Sequence, residues 1–556
     1  MPVLPLLFLC LTVLAGAAAP PDPEASAALA EAQASLAALG LPEGTGFRLR
    51  DVVADGPGAV HVRLQQTWRG VPVWGGQIIL HRGPAGPTAP PTDALVRDIA
   101  LDVTPNLQAA EALAVVRGRP GCPADGVLRP PDLVLWPATE TRIPEGADGA
   151  DPAAEPVVVR HHLAWHARVE VGPGAREPRC EDVLVDAHTG AVLRAWSTLY
   201  TARRNLLEPP REGKPAEGTG RSQYSGEVPL GALASGLGYE LLDPTRGGIT
   251  TRNLGGATAG PGAPCASATP TWGDGLDYDP GRGPGSVNGQ TAAVDAHFGL
   301  QSAWDFCRNV LGRNGIDGLG TPPVNRVHYA EGFDNAFWSD DCFCMTFGDG
   351  AGGRPYTTLD VVGHELAHGL CNATAGLDYE GEPGGLCEAN SDILGVLIRH
   401  YVKRAGGRGP VIPDGPCDWT IGAEVAGTPI RTLDRPSRDR ISLDAWSPTL
   451  AYRDVHQASG PMNRAFTFLA QGASARRGHP AYSPRLPHGM AGIGLDKALR
   501  IWWRTLTTRL TPRSGYRQAR AGALACAQEL YGPRSPEWQA VDLAFRGVNV
   551  GRPRRR

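Results

Sequence analysis

The 556-residue chain has almost no lysine; Lys214, Lys403 and Lys497 are the only three. Its positive charge is nearly all arginine, so a cluster such as 552–556 reads as a compositional habit and a solvated tail. Net charge is also lacking, at −4, which gives no reason to expect nucleic acid as a partner. After residue 19 no run of 18 apolar residues occurs, so no membrane-spanning helix and no membrane partner are expected. Glycine (72) and proline (51) are abundant, which favours many loops and few very long helices. A hydrophobic content of 42% with 20% charged residues describes an ordinary folded protein, too long for one core.

Residues 1–19 read as a secretory signal. Leu4 to Leu14 is apolar but too short to span a bilayer, and Ala15 to Ala19 offers small residues for cleavage near Ala17 or Ala18. The expected destination is extracellular. Of eleven cysteines, Cys10 leaves with the signal. The even remainder in a secreted chain fits disulfides, with connectivity open.

One stretch carries metal chemistry. Residues 361–369 read Val-Val-Gly-His-Glu-Leu-Ala-His-Gly. Positions i and i+4 of a helix share a face, so His364 and His368 can hold one metal ion together. Glu365 lies about 100° round the helix from His364, within reach of a water on that ion. This is the HExxH pattern of zinc hydrolases. A catalytic zinc takes three protein ligands and keeps a position open. Glu388 is the candidate third ligand: 19 residues separate it from His368, enough to turn back and start an antiparallel helix. Asp392, one helical turn later, can accept the free imidazole N–H of a ligating histidine.

Before this site the chain reads as two modules and a linker. Residues 20–100 hold a helical stretch, Ala25 to Leu39, and alternating strands at Ala59 to Trp68 and Val71 to His81. Residues 101–200 hold a helix at Asn106 to Arg117 and strands at His162 to Val171, Asp182 to Asp186 and Ala191 to Ser197, with a Pro/Asp/Glu-rich loop at Ile143 to Glu155. His161, His162 and His166 lack acidic or cysteine partners at ligand spacing and are not read as a metal site. Residues 201–217, rich in Arg, Pro, Glu and Gly, form the linker, with Arg203, Arg204 and Arg211 as exposed cut sites. From Gly218 the pattern is β-rich to about 290. Helices follow at Thr291 to Leu311, Thr358 to Leu370 and Leu386 to Arg399, and strands at Val324 to Ala330. Helices dominate after 460, at Pro461 to Gln471, Gly494 to Thr507, Tyr516 to Tyr531 and Ser535 to Phe545.

Several separated segments carry a resemblance. They are the stretch from His328 to Trp338 (His-Tyr-Ala-Glu-Gly-Phe-Asp-Asn-Ala-Phe-Trp), Asp360 to His368, Thr374 to Tyr379, Glu388 to Asp392, His456 to Asn463 (His-Gln-Ala-Ser-Gly-Pro-Met-Asn) and Gly492 to Ala498. Together they resemble the thermolysin family of neutral zinc endopeptidases. The segment from His61 to Gly76 is similar to the pro-domain of thermolysin-like and fungalysin-like peptidases. The resemblance implies an α+β fold: a two-lobed zincin with a β-rich N-terminal lobe (218–373), a central HExxH helix and a helical C-terminal lobe (374–556), preceded by an α+β pro-region. It implies Zn2+ held by His364, His368 and Glu388, with Glu365 as general base. Tyr379 and His456 would stabilise the oxyanion. Asn335 and the backbone of Ala336 would hold the substrate main chain, and Arg431 the carbonyl after the cut. Val361, Ile421, Val425 and Ile430 would line an apolar pocket. A zymogen acting on polypeptides is implied, with its own pro-region as inhibitor or chaperone and a monomeric state expected.

The chain departs from that pattern in places. Cys387 stands where the family usually has an asparagine that orients the second histidine, so either another group holds His368 or its orientation is looser; Cys371 and Cys417 are open as disulfide partners for Cys387. Of the carboxylates of the family's paired calcium site, Asp360 and Asp418 remain, whereas Arg399, Thr420 and Ala423 replace the others. Ca2+ is therefore a doubtful cofactor, with its double site expected to be reduced or absent. Cys342 and Cys344 are expected to be disulfide-bonded. The rival readings are a fungalysin-like peptidase and a non-catalytic or inhibitory protein that retains the fold.

Overall fold

A computed structural model describes residues 23–55, 58–122, 127–142, 155–171, 179–198, 212–340, 342–350 and 352–551. The signal segment, almost all of the loop from Ile143, the cut sites at Arg203, Arg204 and Arg211, and the arginine tail lie outside the described residues.

The two N-terminal modules share one twisted sheet. Its strands are β1 (Thr45–Ala54), β2 (Val60–Trp68), β3 (Val71–Gly83), β4 (Gly86–Ala94), β5 (Val127–Arg142), β6 (Glu155–Val171), β7 (Arg179–Asp186) and β8 (Val192–Thr198), in the order β1-β2-β3-β5-β6-β7-β8, with β4 paired to β3. A parallel bridge, Val73 to Leu135, joins the modules. Alternation in β2 and β3 turns Val62, Leu64, Ile78 and Leu80 inward against Ala28 and Ala32 of helix α1 (Pro23–Ala34). Helix α2 (Ala109–Arg117) packs Ala112 and Val116 against Ala167, Val169, Val183 and Val185. The sequence pattern misses β5 because Pro130, Pro131 and Pro137 interrupt it; the strand register shifts between Arg129 and Asp132, where two of these prolines sit. Helix α1 stops at Ala34, short of the expected Leu39, and the chain turns through Gly40 at φ +66°.

The β-rich part that follows begins at Lys214, inside the stretch 201–217 expected as linker. Strand Lys214–Ser222 pairs along its length with Gly226–Ser235 in a five-stranded sheet. Its glycines and proline hid it from pattern reading. A six-stranded sheet lies beyond, with strand Ala336–Ser339 at its edge, next to Cys344–Phe347. Strand Val324–Val327 ends sooner than the expected Ala330, because His328 and Ala330 take φ of +56° and +51°.

Helices α3 (Gln290–Asn309), α4 (Leu359–Ala373) and α5 (Gly381–Ala405) form the centre, nearly all of α4 being buried. Two glycines let α4 and α5 touch. A Cβ on Gly395 would stand 2.4 Å from Asp360 O, and one on Gly363 3.0 Å from Gly395 Cα. The helical lobe adds Gly460–Gln471, Leu495–Arg509, Tyr516–Tyr531 and Pro536–Gly547. No helix among the described residues is long and apolar enough to cross a membrane.

The two N-terminal modules pack on this lobe. Buried Arg63 of β2 donates from Nη1 to Leu510 O (2.7 Å) and from Nη2 to Thr507 O (3.0 Å). It thereby satisfies carbonyls that the end of helix Leu495–Arg509 leaves without intrahelical partners. Asp55 pairs with Arg504, and Arg194 with Glu380. Trp74 Nε1 donates to Asp378 Oδ2 at 3.4 Å. Between the two parts lies a cavity of about 990 Å³ that Arg50, Trp74, Asp378 and Tyr379 help to line.

Candidate metal centre

Helix α4 starts with Asp360 in its first turn, where a carboxylate suits the helix dipole. One turn into the helix it presents His364, and a further turn on His368, with their Nε2 atoms 3.0 Å apart. Helix α5 runs back across it and brings Glu388. Its Oε2 is 3.6 Å from His364 Nε2 and its Oε1 3.4 Å from His368 Nε2. These three ligand atoms lie within 4.8 Å of one another, the only such group among the described residues. All three residues are buried.

Two nitrogens and a carboxylate facing one another in the buried interior form a group that can hold a cation between them. Glu388 Oε2 is buried and has no hydrogen-bond donor. Burial holds His368 neutral, its pKa pushed down to about 3. For Glu388 burial opposes the charge, yet His456 first, with His364 and Arg431, outweighs it and holds the carboxyl at about 2. A neutral imidazole and an ionised carboxylate are the forms that ligate zinc, so the donor set fits it. Glu365 is buried beside them. Burial, reinforced by Glu388's charge and offset by His364, pushes its carboxyl up to about 7, a value suited to moving protons near neutrality.

Each histidine is held from behind by α5. Asp392 Oδ1 stands 3.0 Å from His364 Nδ1. Arg431 grips Asp392 in turn, from Nε to both oxygens (2.9 and 3.1 Å) and from Nη2 to Oδ1 (2.6 Å), and Asn463 Nδ2 donates to Oδ2 at 2.8 Å. On His368, Nδ1 faces Ser391 Oγ at 3.1 Å and Cys387 Sγ at 3.6 Å. Sequence reading gave no role to Ser391 or Asn463. The available signal for Ser391 was its place three residues after Glu388, hence on the same helix face.

Around the ligands stand Tyr379, whose hydroxyl donates to Glu388 Oε1, and His456, whose Nε2 is 3.6 Å from Glu388 Oε2. The His456 side chain is 48% exposed, and Asp454 accepts from its Nδ1 at 2.8 Å. Partial desolvation of its inner edge acts against the charged form, but Glu388 and Asp454 prevail and raise its pKa. Glu365, Tyr379, His456 and Arg431 thus converge on Glu388. Asn335 is exposed, and Ala336 opens the edge strand nearby; no hydrogen bond links either to the ligands among the described residues.

Arg399 lies under the start of α4. Its Nη1 donates to Asp360 Oδ2 (2.6 Å), and its Nη2 to the carbonyls of Asp418 (2.6 Å) and Thr420 (2.9 Å). Cys342 and Cys344 are disulfide-bonded. Cys387 and Cys371 are neighbouring buried thiols, while Cys417 sits beside Arg399 and Arg404. The histidines of the second N-terminal module find acidic partners across strands after all, His162 with Asp186 (3.0 Å) and His166 with Asp182 (2.8 Å), a carboxylate that Arg168 also grips.

Comparisons with known proteins agree with this centre. The family description "Thermolysin metallopeptidase, catalytic domain" matches residues 217–372, "Thermolysin metallopeptidase, alpha-helical domain" residues 375–550, and "Fungalysin/Thermolysin Propeptide Motif" residues 45–87. The chain is 35% identical over 524 residues to a transglutaminase-activating metalloprotease of Streptomyces mobaraensis, covering 92% of this chain and 62% of that one. It is 30% identical over 525 residues to thermolysin of Alicyclobacillus acidocaldarius, covering 88% and 83%. The precursor of protealysin from Serratia proteamaculans aligns at 26% identity with a TM-score of 0.40, over 54% of this chain and 87% of that one. The propeptide motif is described for both the thermolysin and fungalysin groups, whereas the models that match the catalytic and helical domains are described as thermolysin's. With both domains matched and the propeptide ahead of them, the chain belongs to the thermolysin family of zinc metallopeptidases.

Proposed function

We propose that the chain is a secreted zymogen whose mature part is a monomeric endopeptidase, cutting polypeptides before an apolar residue. The observation that carries this reading is the convergence of His364, His368 and Glu388 with buried Glu365 beside them. Zinc held by the three ligands would polarise the scissile carbonyl and make a water acidic enough to attack it. Glu365 takes the water's proton and delivers it to the departing amine. Tyr379 and His456 donate hydrogen bonds where negative charge develops on the carbonyl oxygen. For this the Tyr379 hydroxyl turns from Glu388 to the substrate.

Asn335 and the Ala336 backbone align the substrate chain along the open sheet edge. Arg431 meets the carbonyl after the cut with Nη1, the nitrogen its grip on Asp392 leaves over. Val361, Ile421, Val425 and Ile430 receive the side chain that follows the cut. The pro-region, split as 20–100 and 101–200, holds the enzyme inactive until the segment around Arg203, Arg204 and Arg211 is cut. The Arg63 bonds to Thr507 and Leu510 and the cavity beside Tyr379 support that role. Arg399 supports a reading in which calcium is dispensable.

Casein hydrolysis by the processed secreted protein tests the assignment. Activity abolished by a zinc chelator and restored by added zinc is expected. Chelator-resistant activity, or none in any preparation, would sink it.

A further inference from the structure

Two consecutive residues of α5 stand behind the two histidines of α4. Asp392 faces His364 Nδ1, and Ser391 faces His368 Nδ1. We propose that Ser391 is the positioning residue that fixes the tautomer and the ring of His368, in place of a side chain at position 387. This inference rests on the zinc reading above.

When His368 ligates through Nε2, its proton sits on Nδ1 and needs an acceptor. Two atoms are within reach, Ser391 Oγ at 3.1 Å and Cys387 Sγ at 3.6 Å. A hydroxyl oxygen is a good acceptor and a thiol sulfur a weak one. The Cys387 sulfur also lies beside the buried thiol of Cys371. Ser391 is fully buried, so no water competes for the bond. It follows Glu388 by three residues, which puts ligand and positioning residue on the same face of one helix. Rotation of α5 would move both together, so the helix holds the ligand it offers and the ligand it orients in one geometry.

The test is zinc affinity of the full chain, read by competition with a chromogenic chelator, for the parent and for Ser391→Ala, Cys387→Ala and the double variant Ser391→Ala/Cys387→Asn. Loss of an outer partner to a ligating histidine lowers metal affinity by about 10–100-fold. That loss is expected in Ser391→Ala, with less than a threefold change in Cys387→Ala. Asparagine at 387 can accept the Nδ1–H from the side now held by sulfur, so the double variant is expected to regain most of the affinity. Cobalt substituted for zinc is expected to give an altered visible spectrum in Ser391→Ala alone. Affinity in Ser391→Ala within threefold of the parent, or a larger loss in Cys387→Ala, would overturn the proposal while the zinc reading stands. A parent chain that takes up no zinc would instead remove the reading on which it rests.

Discussion

Arg399 and Asp360 form a buried ion pair, Nη1 to Oδ2 at 2.6 Å, at the foot of the helix that carries both histidines. Gly422 N also donates to Asp360 Oδ2 (2.9 Å), and Thr358 Oγ1 to Oδ1 (2.6 Å). The carboxylate is thus neutralised by a residue of the chain. Thermal unfolding is expected to be the same with millimolar calcium and with a calcium-selective chelator. Arg399→Ala leaves the charge of Asp360 uncompensated and is expected to cost about 3–5 kcal/mol, part of it recovered by added calcium. A parent protein that melts many degrees lower without calcium would refute the assignment.

Under the proposed function one side chain, Arg431, has two tasks: it holds Asp392 and meets the substrate carbonyl. Its bidentate grip on Asp392 needs the planar guanidinium fork, which lysine cannot supply. Arg431→Lys is therefore expected to lower kcat/KM by at least about tenfold and to weaken zinc binding through Asp392 and His364. If Arg431 met the substrate only, zinc affinity would be unchanged, so chelator competition separates the two cases.

The hold of the pro-region on the helical lobe depends on Arg63. Burial lowers its pKa to about 9, so it keeps its charge at neutral pH. Arg63→Ala strips the donors from two buried carbonyls, at about 1–3 kcal/mol each. Loosened binding of the cleaved pro-region, and faster appearance of activity after cleavage, are expected; binding unchanged by the substitution would show that the cap carries no weight.

Acid is expected to destabilise the pro-region through His81. Its Nδ1 is 2.7 Å from that of His61, its Nε2 is 3.0 Å from Thr92 Oγ1, and Asp55 accepts from His61. Burial first, then Arg509, His61, Arg504 and Arg63, push its pKa from 6.5 to about 2. A histidine depressed in the folded state contributes stability fully above pH 6.5 and loses it as pH falls towards 2. At pH 5 the loss is about 2 kcal/mol. Asp378 opposes this: burial raises its carboxyl to about 6, favouring the assembled state as pH falls through that value, moderated by the solvent of the cavity it lines. Urea unfolding of the full chain at pH 7.5 and pH 5 measures the balance. His81→Gln is expected to reduce the acid sensitivity, and an unchanged slope would count against the histidine.

Much of the centre was legible because its physics is local. Two histidines four apart share a helix face in any fold, and Asp392 follows Glu388 by one turn wherever α5 lies. The helices around them were visible from their apolar periodicity, although α5 (Gly381–Ala405) begins well before and ends well after the expected Leu386 to Arg399. What stayed hidden depends on tertiary approach. Nothing local tells that Arg431 reaches Asp392, that Tyr379 turns onto Glu388, or that Ser391 stands beside Cys387 at His368. Strand β5 was masked by its prolines and strand Lys214–Ser222 by its glycines, because both are held by neighbours and not by propensity. Histidines 162 and 166 found their acids on an adjacent strand, a pairing that spacing along one segment does not reveal.

The most direct test of the account is to measure zinc content and peptidase activity together in Glu365→Gln. The three ligands are untouched by this change, while the proton carrier is gone. One zinc per chain, with activity lowered by about 10²–10⁴-fold, is the predicted result. Substantial activity with glutamine at 365, or loss of the zinc along with the activity, would contradict it.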